Sequence, residues 1–204
     1  MLIEELSVVQ VLAILSASAA GGMRIGLPLL IIGLINLDKL WTNIPFLSSF
    51  PPQILVGILT SWSLFELFGS KKLIGLRILQ IIQLIFSPFV GALMAIGVSR
   101  FMDLPITPLW LLGLVGALLA LVLKFVQVGW FFRLGRIPIS FIIIEDILSA
   151  LLVVFALEAP KNGGLIAMLL LWIALRSSTA WKYRFQNNIR KDKGRGTPDE
   201  GKTT

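Results

Sequence analysis

Long runs of apolar residues dominate the chain, and polar residues are confined to short segments between them. The runs lack the three-to-four-residue spacing of a helix that keeps one face in water. A helix that crosses a membrane needs about 20 consecutive apolar residues, and several of the runs approach this length. The pattern predicts an all-α, polytopic transmembrane helical bundle of six to seven segments.

The first apolar run, residues 6–37, is too long for one ordinary span and short for two. It is interrupted near Gly21–Pro28, a stretch that contains Gly22, Gly26 and Arg24. Glycine and proline both weaken a continuous helix. We therefore predict two short helices that meet at a break. One broken span, a re-entrant hairpin and two short spans all stay open.

The later apolar runs predict five more helices, each bounded by a polar or proline-containing segment. One of these segments, Arg133-Leu134-Gly135-Arg136-Ile137-Pro138, is similar to the first break, Arg24-Ile25-Gly26-Leu27-Pro28, apart from one inserted residue and an exchange of Ile and Leu. Broken helices in corresponding halves of a chain are a pointer to a transport site. A short match also arises by chance, so a repeat and a coincidence both stay open. The five helices are predicted at about 53–68, 73–99, 109–128, 138–157 and 163–181.

Composition excludes an ordinary water-soluble domain. Hydrophobic residues make up 56% of the chain and charged residues 14%, whereas a soluble domain has about 25% charged residues. The chain has no Cys and no His. Thiol chemistry, the usual soft-metal ligands and the commonest general base are therefore missing. We expect no enzymatic activity, no metal and no cofactor.

The net charge of +7 is concentrated near the C-terminus. Residues 182–204 contain seven basic and three acidic side chains. Beside so much apolar chain, such a surplus is typical of a cytoplasmic flank that faces anionic lipid rather than nucleic acid. We predict a transmembrane domain over residues 1–184 and a basic, disordered cytoplasmic tail over 185–204.

Charged residues at membrane depth are the candidates for function, because each costs roughly 2.5–3.5 kcal/mol on insertion scales. Arg24, Glu66, Glu145 and Asp146 form the predicted intramembrane polar site, and Lys124 also lies within an apolar run. Adjacent helical residues point about 100° apart, so one of Glu145 and Asp146 would face a helix and the other a cavity. The functional interpretation is a path for an ion or polar solute, with Arg24 paired to Glu66 or Glu145. The structural alternative is ion pairs between helices, or side chains that reach the surface.

Small residues recur every four positions at Ser87, Gly91, Ala95 and Ser99. In lipid, such a face lets two helix backbones approach closely. We favour packing within the bundle over a dimer interface.

Several short motifs resemble a bacterial membrane protein family catalogued only as domain of unknown function 4126. The resemblance extends over about residues 6–184 and implies a helical membrane fold, a bacterial inner (plasma) membrane location and no established activity. The motifs are Ala19-Ala20-Gly21-Gly22-Met23-Arg24, Leu27-Pro28-Leu29-Leu30, Leu64-Phe65-Glu66-Leu67, Ser87-Pro88-Phe89-Val90-Gly91 and Leu170-Leu171-Trp172-Ile173-Ala174-Leu175-Arg176.

Two functions remain open from the sequence. One is a small transporter or channel-like protein for an ion or polar solute, based on the buried charges and the breaks. The other is a non-catalytic membrane subunit or assembly factor that acts through helix–helix contacts. Both place the chain in a lipid bilayer, and the second requires a membrane-protein partner or a homo-oligomer.

Overall fold

The computed structural model describes the backbone of the helical regions and most of their side chains. The described side chains lie within 8–35, 50–66, 78–102, 109–130 and 140–177. The described backbone covers residues 8–35, 50–69, 73–102, 109–134 and 139–195.

Within these ranges the chain forms seven helices and no strand, which confirms the predicted all-α bundle. The helices are α1 (Val8–Met23), α2 (Gly26–Ile35), α3 (Pro52–Gly69), α4 (Leu73–Phe101), α5 (Leu109–Leu134), α6 (Ile139–Glu158) and α7 (Pro160–Arg195).

The outer surface of the bundle is apolar. Three helical segments are long and apolar enough to cross a membrane, namely Ile78–Phe101, Leu109–Trp130 and Ser140–Glu158, while α1 and α2 are shorter apolar helices. Large side chains such as Phe89 and Phe125 are 65% and 67% exposed. An apolar exterior of this kind matches lipid rather than water, so the chain is an integral membrane protein.

Helix α1 lies at the centre of the bundle. It packs against α4, α5, α6 and α7, and every residue from Ser16 to Met23 is buried. This half of α1 consists almost entirely of Ala, Ser and Gly. Small side chains make the helix narrow, and four neighbouring helices can therefore approach its axis at once.

Helices α1, α4 and α5 approach one another closely. A Cβ atom added to Gly22 would lie 2.7 Å from the Cα of Ala120, and one added to Gly116 would lie 2.5 Å from the carbonyl oxygen of Gly91. Ser87 donates a hydrogen bond from its Oγ to the Ala120 carbonyl oxygen, 3.1 Å away. The predicted small-residue face of α4 therefore packs inside the bundle, as expected.

Two helices extend further than the apolar pattern predicted. Helix α5 continues to Leu134, and α7 runs from Pro160 to Arg195. The backbone of residues 185–195, predicted as the start of a disordered tail, is therefore helical. Adding residues to an existing helix requires no new nucleation, and Lys, Arg and Gln are good helix formers. Residues 196–204 lie outside the described ranges.

Gly116 and Gly129 offer a matched test of the close crossing, because both lie on α5. We expect Gly116→Val to lower the free energy of unfolding by about 1–3 kcal/mol or more, since a branched side chain would overlap the backbone of α4. Nothing lies within 4 Å of a Cβ atom added at Gly129, so Gly129→Val should change stability little. Unfolding of both variants in mixed detergent micelles measures the difference. Equal losses of stability in the two variants would contradict the close packing of α5 against α4 at Gly116.

Candidate functional site

The break between α1 and α2 consists of two residues, Arg24 and Ile25. The backbone N–H of Arg24 still donates to the Ala20 carbonyl oxygen at 3.1 Å, and the regular pattern ends there. Arg24 is 4% exposed and Ile25 is 7% exposed. Non-helical backbone at membrane depth is tolerated only where protein surrounds it or where it lines a cavity. Here protein encloses the break.

The predicted break residues flank this point rather than form it. Gly22 is helical, and its missing side chain serves the contact with Ala120. Gly26 begins α2, where an added Cβ atom would lie 2.6 Å from the Oγ of Ser63 on α3. Pro28 lies in the first turn of α2, where the missing N–H would have no helical partner in any case.

The second predicted break is only partly described. The backbone of Arg133 belongs to the last turn of α5. Pro138 lies outside the described residues, as does the rest of the segment between α5 and α6. The proposed likeness between the two breaks therefore stays a prediction.

Arg24 pairs with α6. Its Nε lies 2.6 Å from Oδ1 of Asp146, and the two side chains are 5% and 21% exposed. The prediction that Arg24 pairs with Glu66 or Glu145 is therefore wrong. Two serine hydrogen bonds explain why Arg24 meets Asp146, because they set the register of the antiparallel helices α1 and α6. Ser16 Oγ donates to the Leu152 carbonyl oxygen at 2.7 Å, and Ser149 Oγ donates to the Ala20 carbonyl oxygen at 3.2 Å.

Lys124 of α5 forms the second pair. Its Nζ lies 3.4 Å from Oε1 of Glu145, and its side chain is 3% exposed. The same ammonium group donates to the Met23 carbonyl oxygen at 2.6 Å and to Oε1 of Gln127 at 3.3 Å. The last carbonyl groups of a helix carry partial negative charge and lack helical partners. Lys124 thus caps the C-terminal end of α1.

Glu66 is the third carboxylate, and its hydrogen-bond donors are neutral. Its Oε1 accepts hydrogen bonds from Nε2 of Gln83 at 2.9 Å and from Nε1 of Trp62 at 3.0 Å. Glu66 is 3% exposed. Sequence reasoning did not identify Gln83 or Trp62 as partners. The available signal was a glutamine in the apolar helix α4 and a tryptophan one turn before Glu66 on α3.

We refer to Arg24, Glu66, Lys124, Glu145 and Asp146 as the charge cluster. Charge–charge interactions link Lys124 to Glu145, Arg24 and Glu66, and link Asp146 to the same three residues. The structure therefore brings all four predicted polar-site residues together and adds Lys124. Two cations face three carboxylates, so the fully ionised cluster carries a net charge of −1.

A cavity of about 190 Å³ adjoins the charge cluster between α5, α6 and α7. Its polar lining residues are Glu145 and Gln127, and the other lining side chains are hydrophobic or aromatic. Asp146 faces α1, whereas Glu145 faces both Lys124 and this cavity. The predicted divergence of the two neighbouring carboxylates is confirmed. Among the described residues, no group of three or more Asp, Glu, His or Cys side chains could hold a metal ion.

Comparison with known proteins gives one match. The model of a family described as a domain of unknown function (DUF4126) matches residues 11–180. No curated protein and no solved structure matches the chain.

A double-mutant cycle tests the pair between Arg24 and Asp146. Arg24→Leu should lower the free energy of unfolding by about 3–5 kcal/mol, because it leaves a carboxylate buried without its cation. Replacing both residues with Leu should recover most of this loss. Unfolding in mixed micelles measures the coupling energy.

Arg100→Leu serves as the control, because Arg100 lies in the last turn of α4 and belongs to no ion pair among the described residues. Strictly additive losses for the Arg24 and Asp146 substitutions would contradict the pairing.

Proposed function

This chain belongs to the DUF4126 family, and we propose that it is a small transporter or channel-like membrane protein that moves a cation. One observation carries the proposal. The charge cluster lies at the break between α1 and α2, where Asp146 binds Arg24 and Lys124 binds the Met23 carbonyl oxygen, and its member Glu145 also lines a cavity.

The net charge of the cluster supports a cation rather than an anion. Buried ion pairs alone give a bundle little net stability, since hydrophobic residues of similar size often serve as well or better. Ionisable residues inside membrane proteins commonly mark ion or proton paths. The third carboxylate, Glu66, has no cation of its own and leaves the cluster one positive charge short.

The broken helix supports the same proposal. In transporters with discontinuous helices, carbonyl oxygens at the end of a half-helix coordinate cations. The corresponding carbonyl oxygen here, that of Met23, is bound by the ammonium group of Lys124. Lys124 thus occupies, as a tethered cation, the kind of position that a free cation takes in such proteins. If its side chain moved, the Met23 carbonyl and the Glu145 carboxylate would become available together.

The second candidate function is a non-catalytic membrane subunit or assembly factor. It is favoured by the direct pair between Arg24 and Asp146, in which the arginine side chain is only 5% exposed. In this case the charges would fix the register of the helices, and partners or further copies of the chain would bind the apolar exterior. Neither candidate function requires a catalytic step, a cofactor or a nucleic-acid partner.

We further propose a bacterial inner membrane location with a cytoplasmic C-terminus. Lys and Arg favour the cytoplasmic side of a membrane. If α4, α5, α6 and α7 each cross the membrane once, the segments that contain Lys71 and Lys72 and then Arg133 and Arg136 fall on the same side as the basic C-terminal segment.

Glu145→Gln tests the proposed cation path, with Glu158→Gln as the matched control on the same helix. Glu158 is the exposed last residue of α6 and lies outside the charge cluster. We expect wild-type proteoliposomes to respond to an imposed gradient of Na⁺, K⁺ or protons, as reported by a trapped pH-sensitive dye and a potential-sensitive dye. Because Glu145 links the cavity to the cluster, Glu145→Gln should reduce the response to that of protein-free liposomes.

The control variant should retain the wild-type response. No response of the wild type to any of the three cations, or equal responses of wild type and Glu145→Gln, would contradict the cation path and favour the subunit function.

Orientation can be tested with single cysteines, because the chain has none of its own. The proposed topology places Lys161 outside and Lys202 in the cytoplasm. A membrane-impermeant maleimide should therefore label Lys161→Cys in intact cells whose outer membrane is permeabilised. It should label Lys202→Cys only after the inner membrane is disrupted. The opposite pattern would overturn the proposed orientation.

A further inference from the structure

The cavity beside the charge cluster is polar on one side, and the rest of its lining is apolar. Glu145 and Gln127 supply the polar side. The inner lining includes Leu123, which is 5% exposed, and the aromatic rim includes Trp130, which is 39% exposed. Such a lining suits a molecule with one polar end and a hydrocarbon body.

The cavity is open on one side, and its inner part has room for a small molecule. A cavity of about 150 Å³ lined by aliphatic and aromatic side chains binds benzene. The present volume of about 190 Å³ leaves room for a ring with a short polar substituent. A sugar fits the lining poorly, because most of its polar surface would lose water without gaining hydrogen bonds.

The carboxylate of Glu145 in the cavity lining indicates that the polar end of the bound molecule is a cation. Oε1 of Glu145 lies at 3.4 Å from Lys124, which is longer than an ideal charged hydrogen bond. Glu145 makes no other hydrogen bond to the described residues, and its side chain is 15% exposed. If all five groups of the charge cluster are ionised, three carboxylates face two cations. Aromatic rings such as Trp130 and Phe141 also attract cations through their faces.

We infer that this cavity binds a small amphipathic organic amine, with its ammonium group at Glu145 and Gln127 and its hydrocarbon part between Trp130, Phe141 and Leu123. This inference rests on the proposed function, since it names the substrate class of a cation transporter. The competing occupant is a lipid or detergent tail, which would need the apolar lining and not the carboxylate.

Phenethylamine and 2-phenylethanol form a matched pair of probes, because they share a ring and differ in the charged group. Binding to the purified full-length protein in detergent can be measured by isothermal titration calorimetry. We expect saturable binding of phenethylamine and at least about tenfold weaker binding of the alcohol, a ratio that corresponds to about 1.4 kcal/mol. Ammonium chloride at the same ionic strength should not compete.

Glu145→Gln should weaken phenethylamine binding by at least about tenfold and leave the weak binding of the alcohol unchanged, because only the charged contact is lost. Glu158→Gln should bind like the wild type. Ala174→Leu should weaken both probes, because Ala174 lines the cavity and is 4% exposed.

Equal affinity for the amine and the alcohol in the wild type would overturn the inference and assign the cavity to a lipid or detergent tail. This comparison needs no variant, so it stands even if Glu145→Gln does not fold. Equal amine binding by wild type and folded Glu145→Gln would also overturn it.

The inference and the proposed function fail in different ways. Amine binding without movement of phenethylamine or inorganic cations into proteoliposomes would support the site and contradict transport. Inorganic cation flux without amine binding would support transport and contradict the site.

Discussion

The fold depends on one constraint, which is that lipid offers no hydrogen bonds or counter-ions to an interrupted helix. The interruption after Met23 exposes carbonyl groups and places the guanidinium group of Arg24 at membrane depth. The carbonyl groups need hydrogen-bond donors and the guanidinium group needs a counter-ion, and the protein itself must supply them. Lys124 binds the Met23 carbonyl, and Asp146 binds Arg24. The break is therefore stable only because α5 and α6 both reach it, which requires α1 to lie at the centre of the bundle.

Close packing of small residues positions these polar contacts. The contact between Gly22 and Ala120 lies one turn before Lys124 on α5, so a wider crossing would move the ammonium group away from α1. On the other side, the hydrogen bond from Ser149 to the Ala20 carbonyl lies one turn from the pair between Asp146 and Arg24. A bulky residue at either crossing would disturb the packing and the charges together. In lipid, where the hydrophobic effect does little to join helices, such close contacts fix their register.

The sequence predicted the membrane bundle, the break and the internal packing of the face that contains Gly91. It also singled out Arg24, Glu66, Glu145 and Asp146, which the structure brings together. It did not predict that Asp146 rather than Glu66 or Glu145 pairs with Arg24. Hydrophobic pattern and residue spacing show which residues share a face of one helix, but not the rotation of that helix against its neighbours. Because helix rotation cannot be read from the sequence, the contacts of Gln83 and Trp62 with Glu66 were not predicted either. The helical backbone between 185 and 195 was missed for another reason, because polarity predicts contact with water and not loss of helix.

Glu145 connects the two parts of the site, because one carboxylate serves both Lys124 and the cavity. A cation that enters the cavity competes with Lys124 for that carboxylate. Lys124 in turn holds the end of α1 through Met23. Any ligand that weakens the contact between Lys124 and Glu145 would therefore change how firmly the break is capped. By the reciprocity of linked equilibria, a rearrangement at the break would change the affinity of the cavity to the same extent. The proposed transport function depends on this shared carboxylate, whereas the subunit function requires only the ion pairs.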